Sequence, residues 1–221
     1  MIVTIDGPAG VGKSTVARSL ASRLGFEFLD TGAMFRAVAL AALHRGIDLQ
    51  DETALTDLLQ DLQLQMPGGM VLLNGQNVSE QIRTPQVAAG SSVVAASAVV
   101  RPYLAALQRR IAAGRRMVCE GRDQGTVVFP DATCKFFLTA SAEVRAQRRA
   151  RDLEARGISF DLDQLRRDQE ERDTRDANRA LAPMRPALDA LLLDTSDLTL
   201  DEVLARMLAV VLQRLPDGTS C

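Results

Sequence analysis

Apolar residues recur with two different periods along this chain. Ile2-Val3-Thr4-Ile5 is a β-branched run that stops at Asp6, and Val16, Leu20 and Leu24 then return at helical spacing up to Gly25. This predicts a strand, a loop and a helix that starts after Ser14-Thr15, with Gly25 as its C-cap. Residues 26–30 form a second short strand. Thr31 to Arg36 follow, then a nearly all-apolar helix over 37–43 and another over 51–62, with Leu55, Leu58, Leu59 and Leu62 on one face. Across 63–78 the period shortens: Leu64, Met66, a Pro67-Gly68-Gly69 turn, Val71-Leu72-Leu73 and Asn74-Gly75 indicate short antiparallel strands. Helices are predicted over 82–89 and 91–113, with Pro102 near the start of the second. Three more strands follow at 116–120, 134–140 and 190–195. Ser141 caps a helix with Val144 as an apolar contact, a last helix covers 200–215, and a frayed tail occupies 216–221.

Strands that alternate with helices imply a parallel sheet with right-handed crossovers. The expected fold is α/β: five parallel strands with helices on both faces. The hairpins are set apart as an antiparallel insertion on a helical arm.

Composition narrows the classes. With 221 residues, 47% hydrophobic and 24% charged, the chain can build an ordinary core. A net charge of −2 gives no overall basic field, which argues against polymeric nucleic acid as a partner. Cys119, Cys134 and Cys221 are too scattered for a disulfide framework or zinc site, and the first two lie in apolar runs that suit buried thiols. His44 is the single histidine, so chemistry that needs a histidine base is largely excluded. The chain starts directly on a strand with no basic leader, and no apolar stretch approaches the roughly 20 residues of a span. A cytoplasmic protein away from membranes is expected.

The loop after the first strand carries chemistry. Gly7-Pro8-Ala9-Gly10-Val11-Gly12-Lys13-Ser14-Thr15 matches the phosphate-binding pattern G-x-x-x-x-G-K-[ST], in the strand-to-helix context that the pattern requires. Glycines let backbone N–H groups converge on a polyphosphate, and the helix N-terminus adds partial positive charge. Lys13 suits the β- and γ-phosphates, and the Ser14 hydroxyl suits Mg²⁺. Of the 26 basic residues only Lys13 and Lys135 are lysines, so a lysine at this position is hard to ascribe to drift.

Further groups follow other strands, at the sheet edge where ligands bind such folds. Arg36 can grip a second phosphate through its planar fork. Glu120 can order Mg²⁺ through water, while Arg122 and Asp123 offer an anion-binding and a base-reading group. Between the fourth and fifth strands, 143–183 is dense in both signs of charge. It holds Arg145, Arg148, Arg149, Arg151, Arg156, Arg166, Arg167, Arg172, Arg175 and Arg179. The plain reading is a solvated helix pair laced with weak ion pairs. The set also suits a mobile flap that closes over transferring phosphates, with Arg172, Arg175, Asp176 and Arg179 on one face. A phosphate acceptor is largely dianionic near neutral pH and needs no catalytic base, which suits a chain so poor in histidine. The reading is a nucleotide kinase.

Four segments, GPAGVGKST at 7–15, DTGAMFRAVAL at 30–40, EGRDQGTVVFPDA at 120–132 and ERDTRDANRALAP at 171–183, together resemble the bacterial cytidylate (CMP) kinases over nearly the whole length. The insertion at about 63–80 resembles the extra piece of their monophosphate-binding lobe. The resemblance implies a single kinase domain: a core of about 1–30, 102–150 and 185–215, a monophosphate lobe of about 31–101 and a lid of about 151–184. It implies transfer from Mg-ATP, or dATP, to CMP or dCMP. Nothing in the apolar pattern demands a partner, so a monomer is expected. Lys13, Arg122, Arg172 and Arg179 would be catalytic. Arg36, Arg122 and Arg179 would hold the acceptor phosphate. Ser92, Arg101 and Asp123 would read cytosine, with Ser91 or Ser97 as alternatives to Ser92. Arg172 and Asp176 would sense the sugar and the closed lid, with Thr31 near the sugar. Phe35 stands where tyrosine is frequent in the family, and Thr31 where serine is.

Rival classes are a thymidylate- or shikimate-type kinase, a nucleotide switch and an arginine-rich RNA-binding helix. Arg122-Asp123 and the insertion oppose the first. The absence of an N-K-x-D motif opposes the second, leaving Gln124 as its one water-positioning candidate. The interspersed acids of 143–179 oppose the third.

Overall fold

Strand β1 (Ile2–Asp6) is the middle strand of a five-stranded sheet, and Val3 and Ile5 are wholly buried. The structure, a computed structural model, describes residues 1–155 and 157–215. Arg156, Cys221 and the expected frayed tail lie outside the described residues. With β2 (Glu27–Asp30), β6 (Met117–Glu120), β7 (Cys134–Thr139) and β8 (Leu191–Asp194), the strand order is β2-β6-β1-β7-β8. β1 pairs in parallel with β6 and β7, and β7 with β8. The register sets Ile5 beside Glu120 and Asp6 beside Phe137, so the strand ends that carry the P-loop and the Glu120–Asp123 segment are neighbours.

The chain divides into two compact units. The first, Met1–Glu27 with Arg115 onward, holds α1 (Lys13–Leu24), α6 (Ala142–Glu154), α7 (Leu162–Ala177) and α8 (Leu200–Gln213). Gly25 ends α1 in a left-handed conformation (φ 64°), as the sequence predicts. Thr199 and Glu202 form a reciprocal capping box at the head of α8. Cys119 and Cys134 are buried free thiols, and burial pushes Cys119 up to about 12.

The second unit, Phe28–Gly114, holds α2 (Thr31–His44), α3 (Glu52–Gln60), α4 (Pro85–Val94) and α5 (Val100–Ala112). It also holds a small antiparallel sheet of β3 (Leu64–Gln65), β4 (Leu72–Leu73) and β5 (Gln76–Asn77). Asn74 and Gly75 both take positive φ at the β4–β5 turn, as an Asn-Gly hairpin requires.

Three boundaries differ from the expectation. Helix α2 begins at Thr31, not after Arg36, because the Asp30 side chain accepts from Ala33 N at 2.8 Å and caps it. The break between α4 and α5 falls at 95–99, not at Gly90. A Cβ on Gly90 would stand 2.9 Å from Leu49 Cδ1, so glycine there serves close packing inside a helix. Helix α5, assigned from sequence to the core, packs within the second unit, where Tyr103 Oη donates to Leu62 O at 3.0 Å.

Candidate active site

In the first unit the P-loop bends as its glycines allow. Gly7 has φ 140°, and a Cβ there would stand 2.2 Å from Leu138 O, so β7 excludes any side chain. Gly12 caps α1 at φ 90° with no side-chain hydrogen bond and no acid in the first turn. The head of α1 therefore offers its N–H groups to an anion.

Lys13 is buried, and its Nζ donates to Pro8 O at 2.6 Å. Burial, then the charges of Arg122 and Arg172, push its pKa well below the lysine range, against the opposing pull of Glu120 and Asp173. The unit thus brings Lys13, Glu120, Arg122 and Arg172 together. A polyphosphate entering here would favour the lysine's charged form. Asp176 is also buried. It accepts from Arg122 Nε at 2.9 Å, and its other oxygen lies 3.4 Å from Arg179 Nη2, an ion pair without hydrogen-bond alignment. One carboxylate therefore holds two of the arginines expected to meet the acceptor phosphate.

Asp123 is buried and opens a π-helical turn over Gln124–Val128. Asp6 shapes this turn: its carboxylate accepts from Gln124 N at 2.9 Å and Gly125 N at 2.8 Å. Burial raises Asp6 to about 6 against those two donors, with the Asp123 charge adding to the rise. Gln124, the one candidate for positioning a water, is 1% exposed.

Several arginines of 143–183 do not form a solvated surface. Arg145 Nη1 donates to Ala9 O at 3.1 Å and pairs with Asp173, whose other oxygen accepts from Ala9 N at 2.9 Å. Arg148 donates to Val11 O at 3.2 Å and to Thr195 O at 2.6 Å. The helix pair α6–α7 is therefore fastened to the P-loop. Sequence reasoning missed the roles of Asp6, Asp173, Arg145 and Arg148. The available signal was a lone acid ending an apolar strand, and two arginines one helical turn apart.

In the second unit, Asp30 pairs with Arg36 at 3.0 Å while it caps α2, so Arg36 is held at the helix head beside the buried Thr31. Arg101 is buried, with its guanidinium carbon 5.3 Å from the Phe35 ring centroid. The residue that departs from the family pattern therefore supplies a cation–π face. Ser91 Oγ donates to Ala88 O and Ser97 Oγ to Glu52, which commits both alternatives to backbone and helix contacts. Ser92 sits on the last turns of α4 and is half-buried.

Among the described residues no cluster of three or more His, Cys, Asp or Glu forms a metal site, and no helix is long and apolar enough to cross a membrane. A P-loop with its lysine among arginines, on a sheet of this order, defines a small P-loop kinase. The family model for cytidylate kinase matches residues 3–213. The chain is 47% identical over 218 residues to a cytidylate kinase of Vibrio cholerae, covering 97% of each. It is 48% identical over 219 residues to one of Stutzerimonas stutzeri, covering 96% of each. This chain belongs to the cytidylate kinase family. A shikimate kinase from Bacteroides thetaiotaomicron superposes with TM-score 0.50 at 11% identity, covering 96% of this chain and 98% of the other. That likeness concerns the fold alone.

Proposed function

We propose that this chain transfers the γ-phosphoryl group of ATP, or dATP, to CMP or dCMP, giving ADP and CDP or dCDP, as a monomer in the cytoplasm. The observation that carries the reading is the set of cations around Lys13: Arg122 and Arg172 act on it, and Arg179 shares Asp176 with Arg122. Arginines on this scale suit two phosphates, a donor's and an acceptor's, and the acceptor oxygen arrives already deprotonated. Catalysis is then alignment and charge neutralisation. Family membership over residues 3–213 supports cytidylate as acceptor.

Gly7 through Thr15 hold the triphosphate, with Lys13 bridging its outer phosphates. Arg36, Arg122 and Arg179 grip the acceptor phosphate, and Arg172 and Asp176 respond to sugar and lid. Ser92, Arg101 and Asp123 read the base, with Asp123 accepting from the exocyclic amine that distinguishes cytosine from uracil. Thr31 faces the sugar.

The donor set suits Mg²⁺. Ser14 is exposed at the head of α1 and Glu120 is buried at the end of β6: hard oxygen ligands, too few for an all-protein cage. Ser14 would bind the ion directly and Glu120 through water. When bound, Mg²⁺ neutralises charge that builds on the β- and γ-oxygens.

ADP release measured across CMP, dCMP, UMP, AMP and dTMP tests the proposal. CMP or dCMP is the expected best acceptor, and AMP or dTMP in that place refutes it. Lys13→Ala should lower turnover by about a hundredfold or more, and near-normal turnover would reject its role on the triphosphate.

A further inference from the structure

Glu52, the first residue of α3, reaches a turn 45 residues further along the chain. Its Oε2 accepts from Ser97 Oγ at 2.8 Å and from Val99 N at 3.2 Å, and its Oε1 accepts from Ala98 N at 3.1 Å. Ser97 is 4% exposed, and its oxygen also accepts from Val99 N at 3.3 Å and Val100 N at 3.1 Å. Two side chains thus collect the donors at the head of α5, where a negative charge is favoured by the helix dipole.

The clamped turn, 95–99, separates Ser92 on α4 from Arg101 on α5. Arg101 is fastened to that same turn, since its Nη1 donates to Ala95 O at 3.2 Å, and its guanidinium lies over Phe35. Moving the turn moves both ends. Glu52 itself is exposed, so losing it opens no core.

We propose that Glu52 and Ser97 are positioning residues for acceptor specificity: they lock the α4–α5 turn and thereby place Ser92 and Arg101 against the base of the acceptor nucleotide. The inference rests on the proposed reading that Arg101 and Ser92 contact that base. Positioning of this kind acts on one substrate. Without the carboxylate, the Ser97, Ala98 and Val99 donors turn to water and the turn gains freedom. Arg101 then meets the acceptor from a distribution of positions, while the P-loop residues of the first unit keep their own bonds.

Steady-state kinetics on the full chain, varying CMP at saturating ATP and then ATP at saturating CMP, test this. Glu52→Ala should raise KM for CMP by roughly three- to tenfold, with KM for ATP and kcat within about twofold of wild type. Glu52→Gln keeps an acceptor oxygen and should recover part of the loss. Glu52→Ala/Ser97→Ala should be no worse than the poorer single variant, because the two act as one unit. An unchanged KM for CMP in Glu52→Ala, an equal rise for both substrates, or additive losses in the double variant would overturn the clamp. Arg101→Ala separates the two layers. A raised KM for CMP there with no effect of Glu52→Ala removes the clamp alone, whereas no effect of Arg101→Ala removes the base-contact reading and the clamp with it.

Discussion

Asp6 presents a contest between two opposing effects. The residue is 4% exposed, which favours the neutral acid, yet its carboxylate accepts from two backbone N–H groups, which favour the anion. Desolvation wins and lifts the group from 3.8 to about 6. At about 1.36 kcal/mol per pH unit, that difference amounts to about 3 kcal/mol. The sign follows from proton binding. The native state holds the Asp6 proton more tightly than the unfolded chain, so this contribution is fully present below about pH 4 and is lost as pH rises through about 6. Asp6→Asn cannot titrate, and its amide sets an NH₂ near one of the two N–H groups, a penalty that does not vary with pH. Urea unfolding of both nucleotide-free proteins between pH 4 and pH 7.5 isolates the term, because the other carboxylates cancel in the difference. The stability of wild type minus that of Asp6→Asn should fall by about 2.4 kcal/mol between pH 4 and pH 7.5, because the unfolded chain is already partly ionised at the acid end. A flat difference, or one that grows with pH, would mean that the Gln124 and Gly125 donors outweigh burial, and the assignment of cause would be wrong.

Two further outcomes follow from the geometry of the P-loop. Gly7→Ala should cost at least about 3 kcal/mol, seen as a lowered thermal midpoint, since its Cβ would meet Leu138 O at 2.2 Å; a midpoint near wild type would contradict the contact. A double-mutant cycle on Arg145→Ala and Asp173→Ala should give a coupling of about 2 kcal/mol in unfolding, because both side chains are largely buried and share Ala9; additive losses would show that the pair does not hold α6 and α7 to the loop.

The hydrophobic pattern specified the sheet because each strand is a short apolar run ended by polar or glycine residues, and each was located to within a residue or two. Helix boundaries in the second unit were harder. Gly90 looked like a break, and only the approach of Leu49 explains a glycine inside α4. Asp30 was visible as a strand-end acid, but its choice of Ala33 N as partner, which sets the start of α2, depends on the fold. The P-loop and the Arg122-Asp123 pair were legible because their spacing is local. Arg145, Arg148 and Asp173 were hidden within a segment where charges of both signs alternate. Pattern alone cannot say which of them turn inward to Ala9 and Val11.

The central claim is that the acceptor half of the site, not the P-loop, gives this enzyme its identity, and Asp123 tests it most directly. The residue opens the π-helical turn that Asp6 holds, at the end of the strand beside β1. The measurement is kcat/KM for CMP and for UMP in wild type and Asp123→Ala. The loss for CMP should exceed that for UMP by roughly 10- to 100-fold, the worth of one base-reading contact. An equal loss for the two acceptors would remove Asp123 from base reading and contradict the account.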